Sequence, residues 1–367
     1  MKVRIATAAA MGLALLGLSG CGGSNGSASD NEITILLVAG TSGANTQAAL
    51  DEKTALEVAA DQINKRGGID GKDVLVDTVD SKGDPTTAVS AYRGYVTSDG
   101  KPDVVFAGTA SGETLALLPL LTRDKVLSFA TTASALINDP NKYPYHFGVA
   151  PTSDDDLRPV APFVEERGVE KLALFLGADA YGESVGAGIR KVLEGSGVDI
   201  SVHRFNPADV DLSAAYRKMI DSNPDAVFTD AFGDAAARIL DAREKVGATA
   251  VPTMTGLSIP ATGNGPAEFS TAKAQENVSM LLFAVQNFVA PGDRTPAFNS
   301  FYDAYVTASG GTVKSSILAA AFAYDGMMLL ETAADQSKST DLDKLVDALE
   351  NLESPADPRW ITENTFD

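Results

Sequence analysis

The sequence predicts an α/β protein with two similar lobes, each a doubly wound parallel sheet, joined by a hinge with a ligand cleft between them. Short apolar runs alternate with segments of helical periodicity, a pattern typical of parallel sheets covered on both faces. This alternation occurs twice, in two stretches of similar organisation. At 367 residues the chain is also long enough for two domains with separate cores.

Residues 1–20 have the features of a secretion signal: two basic residues, an Ala- and Leu-rich core, and small residues at the end. The segment 18–21 reads LSGC, a pattern typical of bacterial lipoproteins, whose cysteine is acylated and becomes the new N-terminus. The alternative is an ordinary signal peptide that ends near a cysteine, but Cys21 is the only cysteine in the chain. Residues 21–31, rich in Gly and Ser, are expected to form a flexible tether. These features predict a lipid-anchored protein on the outer face of the cytoplasmic membrane.

Residues 32–150 are predicted to form the first lobe. Its first helix carries Ala55, Ala59 and Ile63 at helical spacing and ends at Gly67-Gly68, as helices commonly end at glycine. The predicted strands are 33–39, 74–79, 104–106 and 126–129, and the predicted helices are 50–66, 86–97 and a segment opened by Glu113, with a polar loop at 40–49.

The stretch 104–134 is predicted to contain the functional site. Its first strand ends in a small polar turn that holds Ser111, and its second ends in a hydroxyl-rich loop that holds Thr132 and Ser134. Because both strands are parallel, both loops lie at the edge of the sheet where ligands of open α/β sheets bind. A helix N-terminus behind Ser111 adds N–H groups and a dipole that favour an anion. We therefore expect a small carboxylate to bind here without a charged side chain.

Residues 151–284 repeat this organisation and are predicted to form the second lobe. Residues 285–367 are predicted to return to the first lobe, with a final strand of the second lobe expected near or beyond the last residue. The chain crosses between the lobes near 149–152 and 283–290, where we expect the hinge. The predicted strands are 172–176, 200–205, 226–229, 252–255 and 279–284, and the predicted helices are 155–167, 182–195, 212–223, 235–246, 296–309, 315–334 and 342–352.

The composition argues against several kinds of partner. The net charge is −20, and the chain after the signal has 27 basic and 49 acidic residues, which argues against nucleic-acid binding. With one cysteine and two histidines, His146 and His203, we expect neither an internal disulfide nor a His/Cys metal site. No stretch after the signal approaches the ~18 uninterrupted apolar residues of a membrane span.

The segment 63–72 reads INKRGGIDGK and is followed by a strand, by Asp80 and by Asp84-Pro85 before a helix. In these features the chain resembles the leucine/isoleucine/valine-binding family of periplasmic proteins, and the resemblance covers about 33–352. It implies a type I periplasmic binding fold and a role as the solute-binding component of an ABC importer. The expected partners are a small-molecule ligand and the importer's membrane subunits, and we expect a monomer.

The resemblance implies ligand-binding roles for the residues selected above. In this family, turns after two neighbouring strands hold the carboxylate and amino group of the ligand, and Ser111, Thr132 and Ser134 match those positions. Tyr181 matches the tyrosine of the family's Tyr-Gly-Glu motif, and Phe232 matches an aromatic residue of the second lobe.

Two positions depart from the family pattern. Gly256 stands where the family has an acidic partner for the ligand's ammonium group, and Ala48 stands at an aromatic position. Asp230 can supply the missing charge, and the alternative is an aspartate that is solvated or only ends its strand. The prediction is therefore an amino acid or a similar small carboxylate, with the ammonium group left open.

Two other functions match parts of the sequence. The segment 182–186 matches the G-x-S-x-G motif, so a secreted serine hydrolase using Ser184 is the alternative from another class. The motif does not directly follow its strand, and only His203 lies downstream, too close for the usual triad. A ligand-sensing ectodomain is the other alternative, which would need a transmembrane helix and a signalling domain. We expect no catalytic residue, no cofactor and no metal.

Overall fold

Two parallel five-stranded sheets, each flanked by helices, form the two lobes of the protein, so the predicted fold class is confirmed. The structure is a computed structural model. The predicted signal, residues 21–30 of the tether with Cys21, and the crossing at 283–290 lie outside the residues that it describes. Those residues are 31–43, 46–151, 157–260, 262, 266–281, 294–311, 317–352 and 357–362.

In the first lobe the strand order is β2-β1-β3-β4-β5. Ile35 pairs with Val104, and Val104 pairs with Leu127, so the carboxyl ends of β1, β3 and β4 lie at one edge. The strands are β1 Glu32–Ala39, β2 Asp73–Asp80, β3 Val104–Ala107, β4 Leu127–Ala130 and β5 His146–Gly148, and the helices are α1 Thr46–Lys65, α2 Pro85–Ser98 and α3 Ser111–Asp124.

In the second lobe the strand order is β10-β9-β8-β6-β7. Leu176 pairs with Asp230, and Thr229 pairs with Thr255, which brings the carboxyl ends of β6, β8 and β9 together. The strands are β6 Lys171–Gly177, β7 Asp199–Phe205, β8 Ala226–Asp230, β9 Thr253–Thr255 and β10 Val278–Met280, and the helices are α4 Val160–Arg167, α5 Ala180–Val192, α6 Ser213–Ile220, α7 Asp234–Lys245 and α8 Pro266–Phe269.

Three further helices, α9 Pro296–Ala308, α10 Ile317–Ser337 and α11 Leu342–Glu350, pack onto the first lobe. The Tyr324 hydroxyl of α10 donates to the side-chain oxygen of Gln62 in α1 at 2.6 Å. Helix α10 is long and apolar enough to cross a membrane by composition, but 94% of its most apolar window is buried inside the fold. It is therefore a core helix of the first lobe.

Local sequence signals explain several element ends. Asp84 caps α2 by accepting the N–H of Thr87 at 2.7 Å, and Pro85 occupies the first helical position. Helix α1 ends before Gly67 and Gly68, as predicted, and both glycines have positive φ. A Cβ at Gly68 would lie 2.0 Å from a backbone oxygen, so only glycine fits there.

Several predicted elements differ from the structure. Helix α1 begins at Thr46, so the predicted loop at 40–49 is too long and Ala48 lies within the helix. Its first turn shows no apolar periodicity, and only Ala49 within it is buried. Helix α3 begins at Ser111, and Glu113 is its third residue rather than its first. Helix α10 extends to Ser337, three residues beyond the prediction. Strand β5 was not predicted, since it has three half-buried residues at the edge of its sheet.

Candidate functional site

The turn between β3 and α3 forms one side of the candidate site. Ser111 is the first residue of α3 and is 5% exposed. The Glu113 carboxylate accepts the N–H groups of Thr109 and Ala110 at 3.2 and 3.0 Å, which caps the helix. The N–H groups of Ser111 and Gly112 have no acceptor among the described residues. Two N–H donors therefore remain at this helix end, beside the buried Glu113 side chain that caps it.

The loop after β4 brings two more of the predicted hydroxyl groups to the same edge. Thr132 Oγ1 lies 3.1 Å from Thr114 Oγ1 of α3, and the Thr114 hydroxyl donates to the Ala107 carbonyl at 2.6 Å. Ser134 is fully buried, and its Oγ accepts the N–H of Leu136 at 3.3 Å. Thr132 thus connects this loop to α3. The bond from Leu136 to the Ser134 hydroxyl caps a short 3-10 helix.

A buried glutamate beside this loop was missed at the sequence level. Glu52 of α1 is 3% exposed, and its carboxyl group accepts a hydrogen bond from the Thr131 hydroxyl. Burial, with smaller contributions from Glu113 and Asp51, raises the pKa of Glu52 to about 8, so this group is mostly neutral at pH 7. It therefore adds no full negative charge to the proposed anion position. The available signal was its spacing, three residues before Ala55, in line with the apolar face of α1.

In the second lobe Tyr181 and Asp230 form one hydrogen-bonded group. The Tyr181 hydroxyl donates to Asp230 Oδ2 at 2.6 Å and lies 2.7 Å from Ser258 Oγ. Asp230, 2% exposed, also accepts the N–H groups of Ala231, Ser258 and Ile259 at 3.1, 3.3 and 3.0 Å. Burial raises the pKa of Asp230 to about 6, and these donors act in the opposite direction, so the carboxylate is mostly ionised at pH 7. Asp230 ends its strand but is not solvated.

The presence of glycine at position 256, where the family has an acidic residue, has a direct physical cause. A Cβ at this position would lie 2.1 Å from Asp230 Oδ2, so the Asp230 carboxylate occupies the space that a side chain at 256 would need. The acidic side chain beside position 256 is thus that of Asp230, at the end of β8. Phe232 is 45% exposed, and its ring centroid lies 4.8 Å from that of Tyr181.

The two lobes meet at these groups. A cavity of about 10 Å³ between them is lined by residues that include Ala133 of the first lobe and Tyr181, Asp230 and Gly256 of the second. This volume is close to that of one water-sized probe. The structure therefore brings the loop containing Thr132 and Ser134 against the Tyr181–Asp230 group, with little space between the lobes.

Ser184 joins the lobes instead of standing beside a catalytic base. Its Oγ accepts the N–H of Ala135 from the first lobe at 3.0 Å. Asp179 caps α5 by accepting the N–H of Gly182 at 2.8 Å, so Ser184 lies inside the first turns of a helix. His203 Nε2 lies 3.2 Å from Ser201 Oγ on its own strand, and no contact between His203 and Ser184 occurs in the described part of the chain. These contacts do not form a serine-hydrolase triad.

Comparisons of sequence identify related proteins. A family model described as periplasmic binding protein matches residues 32–364. The chain is 28% identical over 199 residues to the Leu/Ile/Val-binding protein BraC3 of Rhizobium johnstonii, with 54% of each chain covered. It is 25% identical over 204 residues to the Leu/Ile/Val-binding protein homolog 3 of Brucella melitensis, with 55% of each covered. The chain thus spans about half the length of the curated relatives it matches.

Solved structures share the fold. The branched-chain amino acid transporter substrate binding protein LivJ of Streptococcus pneumoniae, in complex with isoleucine, gives a TM-score of 0.70 at 22% identity, covering 86% of this chain and 87% of that one. A solute binding protein of an ABC transporter from Rhodopseudomonas palustris BisB5, in complex with 3,4-dihydroxybenzoic acid, gives 0.74 at 18% identity, covering 90% and 88%. A type 1 periplasmic binding protein from Bordetella pertussis Tohama I gives 0.76 at 18% identity, covering 91% and 93%.

Proposed function

Since the chain belongs to the periplasmic binding protein family, as the resemblance implied, we propose that it is the solute-binding protein of an ABC importer and binds an amino acid or a similar small carboxylate. The observation that carries this proposal is that each lobe brings a group of polar residues to the cleft. The first lobe offers a helix N-terminus and hydroxyl groups at Ser111, Thr132 and Ser134. The second offers the Tyr181–Asp230 group.

In this proposal the ligand's carboxylate binds to the first lobe. Ser111 supplies its hydroxyl and N–H groups at the start of α3. Thr132 and Ser134 supply their hydroxyl groups from the loop after β4. The nearby Glu52 is mostly neutral at pH 7 because burial raises its pKa to about 8. Two of the structural neighbours carry isoleucine and 3,4-dihydroxybenzoic acid. These ligands have a carboxylate in common, which supports the choice of ligand class.

The body of the ligand is proposed to lie against the second lobe. The rings of Tyr181 and Phe232, 4.8 Å apart, offer an aromatic surface at the edge of the cleft. Asp230 is the proposed partner for an ammonium group if the ligand is an amino acid. The cavity of about 10 Å³ is too small for such a ligand, so we propose that the lobes separate to admit it and close around it. The hinge would lie near 149–152 and 283–290.

Alanine at Ser111 tests the carboxylate position. Ser111 does not cap its helix, because Glu113 does, so Ser111→Ala should leave the melting temperature nearly unchanged. Losing a hydrogen bond to a charged ligand should weaken binding by about 1.5–3 kcal/mol, or roughly ten- to a hundredfold in Kd. The ligand would first be found by a thermal-shift screen of amino acids and benzoates, since a ligand at 100 times its Kd adds about 2.7 kcal/mol. Calorimetry then compares Ser111→Ala with Ser90→Ala on the surface of α2.

Equal affinity in Ser111→Ala and the parent would contradict the carboxylate position. The primary amide of the same ligand should also bind much more weakly, because the helix N-terminus favours an anion. Small-angle scattering on the same samples should give a smaller radius of gyration with ligand. An unchanged scattering profile at saturation would argue against closure about a hinge.

We also propose that Cys21 is acylated and holds the protein on the outer face of the cytoplasmic membrane, near the importer's membrane subunits. The Leu-Ser-Gly-Cys sequence at 18–21 supports this. Each buried acyl methylene contributes ~0.8 kcal/mol, so several chains would hold the protein firmly. Cys21→Ser should move the protein from the membrane fraction to the soluble fraction on cell fractionation. Retention of the variant in the membrane fraction would rule this anchor out.

A further inference from the structure

A second cavity, of about 250 Å³, lies at the edge of the first lobe's sheet that is opposite to the ligand cleft. The starts of three strands form part of its wall, with Ile33 of β1, Val104 of β3 and Leu127 of β4. Leu330 of α10 and Leu345 of α11 face them. The volume lies just below the ~300–1,000 Å³ of sites for drug-sized ligands. The cavity therefore suits a small ligand with an apolar part.

Three lysines from separate parts of the chain surround this cavity: Lys72, Lys101 and Lys125. Lys72 Nζ donates to Thr340 Oγ1 at 3.3 Å, and Lys101 Nζ donates to the backbone oxygens of Asp124 and Lys125 at 3.5 and 3.4 Å. None of the three lysines has a carboxylate within ion-pair distance in the part of the chain that is described. The chain as a whole has a net charge of −20, so a group of three lysines around one cavity differs from its generally acidic composition.

Two aspartates also line the cavity, and they offset part of the positive charge of the three lysines. Asp103 Oδ2 accepts the N–H of Thr34 at 2.8 Å, and Asp341 Oδ2 lies 3.7 Å from Lys344 Nζ. Asp341 precedes α11 but makes no side-chain hydrogen bond to cap it. The first turn of this helix also holds Asp343, so the positive charge at the cavity comes from the lysines rather than from the helix N-terminus.

We propose that this cavity binds a phosphate ester that carries a short apolar group. Lysine is a common phosphate ligand and acts as a point charge. With three lysines against two aspartates, the lining keeps a net positive charge, which suits an anion. The apolar wall suits an alkyl group attached to the phosphate. The proposal does not depend on the function proposed for the cleft, because the two sites lie at opposite edges of the sheet.

A ligand with a phosphate and an apolar group is either a soluble phosphate ester or the headgroup of a membrane phospholipid. The lipid is within reach, because Ile33 at the cavity lies just after the predicted tether at 21–31. A tether of that length spans at most about 40 Å when fully extended. Positively charged groups near the membrane also attract anionic lipids.

Calorimetric titration with hexyl phosphate tests the site, using the full chain with Cys21→Ser. Hexyl phosphate should bind at least tenfold more tightly than methyl phosphate, because the apolar wall buries the longer chain. The double variant Lys101→Gln/Lys125→Gln should weaken hexyl phosphate binding at least fivefold. The control Lys65→Gln/Lys245→Gln removes the same charge from two lysines that pair with Asp61 and Asp241, and it should bind like the parent. Ser111→Ala in the cleft should also bind like the parent.

Three results would overturn the proposal: no binding of hexyl phosphate at millimolar concentration, equal affinity in the Lys101/Lys125 variant, or a loss of affinity in Ser111→Ala. Sedimentation with phosphatidylglycerol vesicles distinguishes the two sources. Vesicle binding that requires Lys101 and Lys125 would identify a membrane lipid as the ligand. Lysine-dependent binding of hexyl phosphate without vesicle binding would identify a soluble ester.

Discussion

Replacing Arg243 by methionine is expected to lower the free energy of unfolding by about 3–5 kcal/mol, because several buried carbonyls lose their donor and each unsatisfied buried group costs about 1–3 kcal/mol. Arg243, in α7, is fully buried. Its guanidinium donates to four backbone carbonyls, those of Ala274, Thr249, Val251 and Glu276, at 2.7, 2.9, 3.0 and 2.6 Å. Burial lowers the pKa of Arg243, but arginine stays protonated in proteins. Methionine fills much of the same space and leaves these carbonyls without a donor.

Differential scanning calorimetry should show a melting temperature that is roughly 6–15 °C lower for Arg243→Met. Arg238→Met is the matched control, because Arg238 lies on the same helix and donates to two backbone carbonyls from a partly exposed position. It should cost no more than about 1 kcal/mol. A melting temperature for Arg243→Met within about 2 °C of the parent would show that the guanidinium does not hold this region together.

The same substitution separates stability from binding. The Arg243 contacts lie at the amino ends of β9 and β10, whereas Asp230 and Gly256 lie at the carboxyl ends of their strands. At temperatures where Arg243→Met remains folded, its affinity for the ligand of the cleft should therefore match that of the parent.

Much of the fold follows from local signals in the sequence. The apolar strands, the paired glycines after α1 and the Asp-Pro start of α2 all depend on residues close in sequence. The meeting of the Ser111 turn with the Thr132 loop also follows, because neighbouring parallel strands place their carboxyl ends at one edge. Strand β5 did not follow, since three residues at a sheet edge carry little periodicity.

The less predictable part of the candidate site depends on contacts between distant residues. The sequence shows only that glycine replaces an acidic residue at position 256. The structure shows why, because Asp230 of the neighbouring strand occupies the space that a side chain at 256 would need. The contact between Tyr181 and Ser258 spans 77 positions. The bond between Ser184 and Ala135 joins two lobes whose relative position the sequence does not define. Local spacing contains none of this information.

Glu52→Gln is expected to make the protein more stable at pH 8 than the parent and to have little or no stabilising effect at pH 5. Burial raises the pKa of Glu52 to about 8 from the usual 4.5, with smaller contributions from Glu113 and Asp51 in the same direction. The folded protein therefore keeps a proton that the unfolded chain releases between these pH values. Because the unfolded state binds fewer protons in this range, stability falls as pH rises through it. The loss amounts to on the order of 3 kcal/mol by pH 7, at 1.36 kcal/mol per pKa unit.

Glutamine removes this titration but keeps an oxygen that can accept the hydrogen bond from the Thr131 hydroxyl. Asp230 and Asp325, whose pKa values burial raises to about 6, also reduce stability as pH rises. They are present in both proteins, so their own titration cancels in the difference between parent and variant. Urea unfolding at pH 5, 6, 7 and 8 should show an advantage of Glu52→Gln that grows at each step.

Glu57→Gln is the matched control on the same helix. Glu57 forms an exposed ion pair with Lys53, and its side chain is 49% exposed. Its carboxylate is already in water, so this substitution should change stability by less than about 1 kcal/mol. The difference from the parent should also stay constant from pH 5 to pH 8. A Glu52→Gln difference that is equally flat would mean that Glu52 is ionised in the folded protein, and the proposed anion position would then have a negative charge beside it.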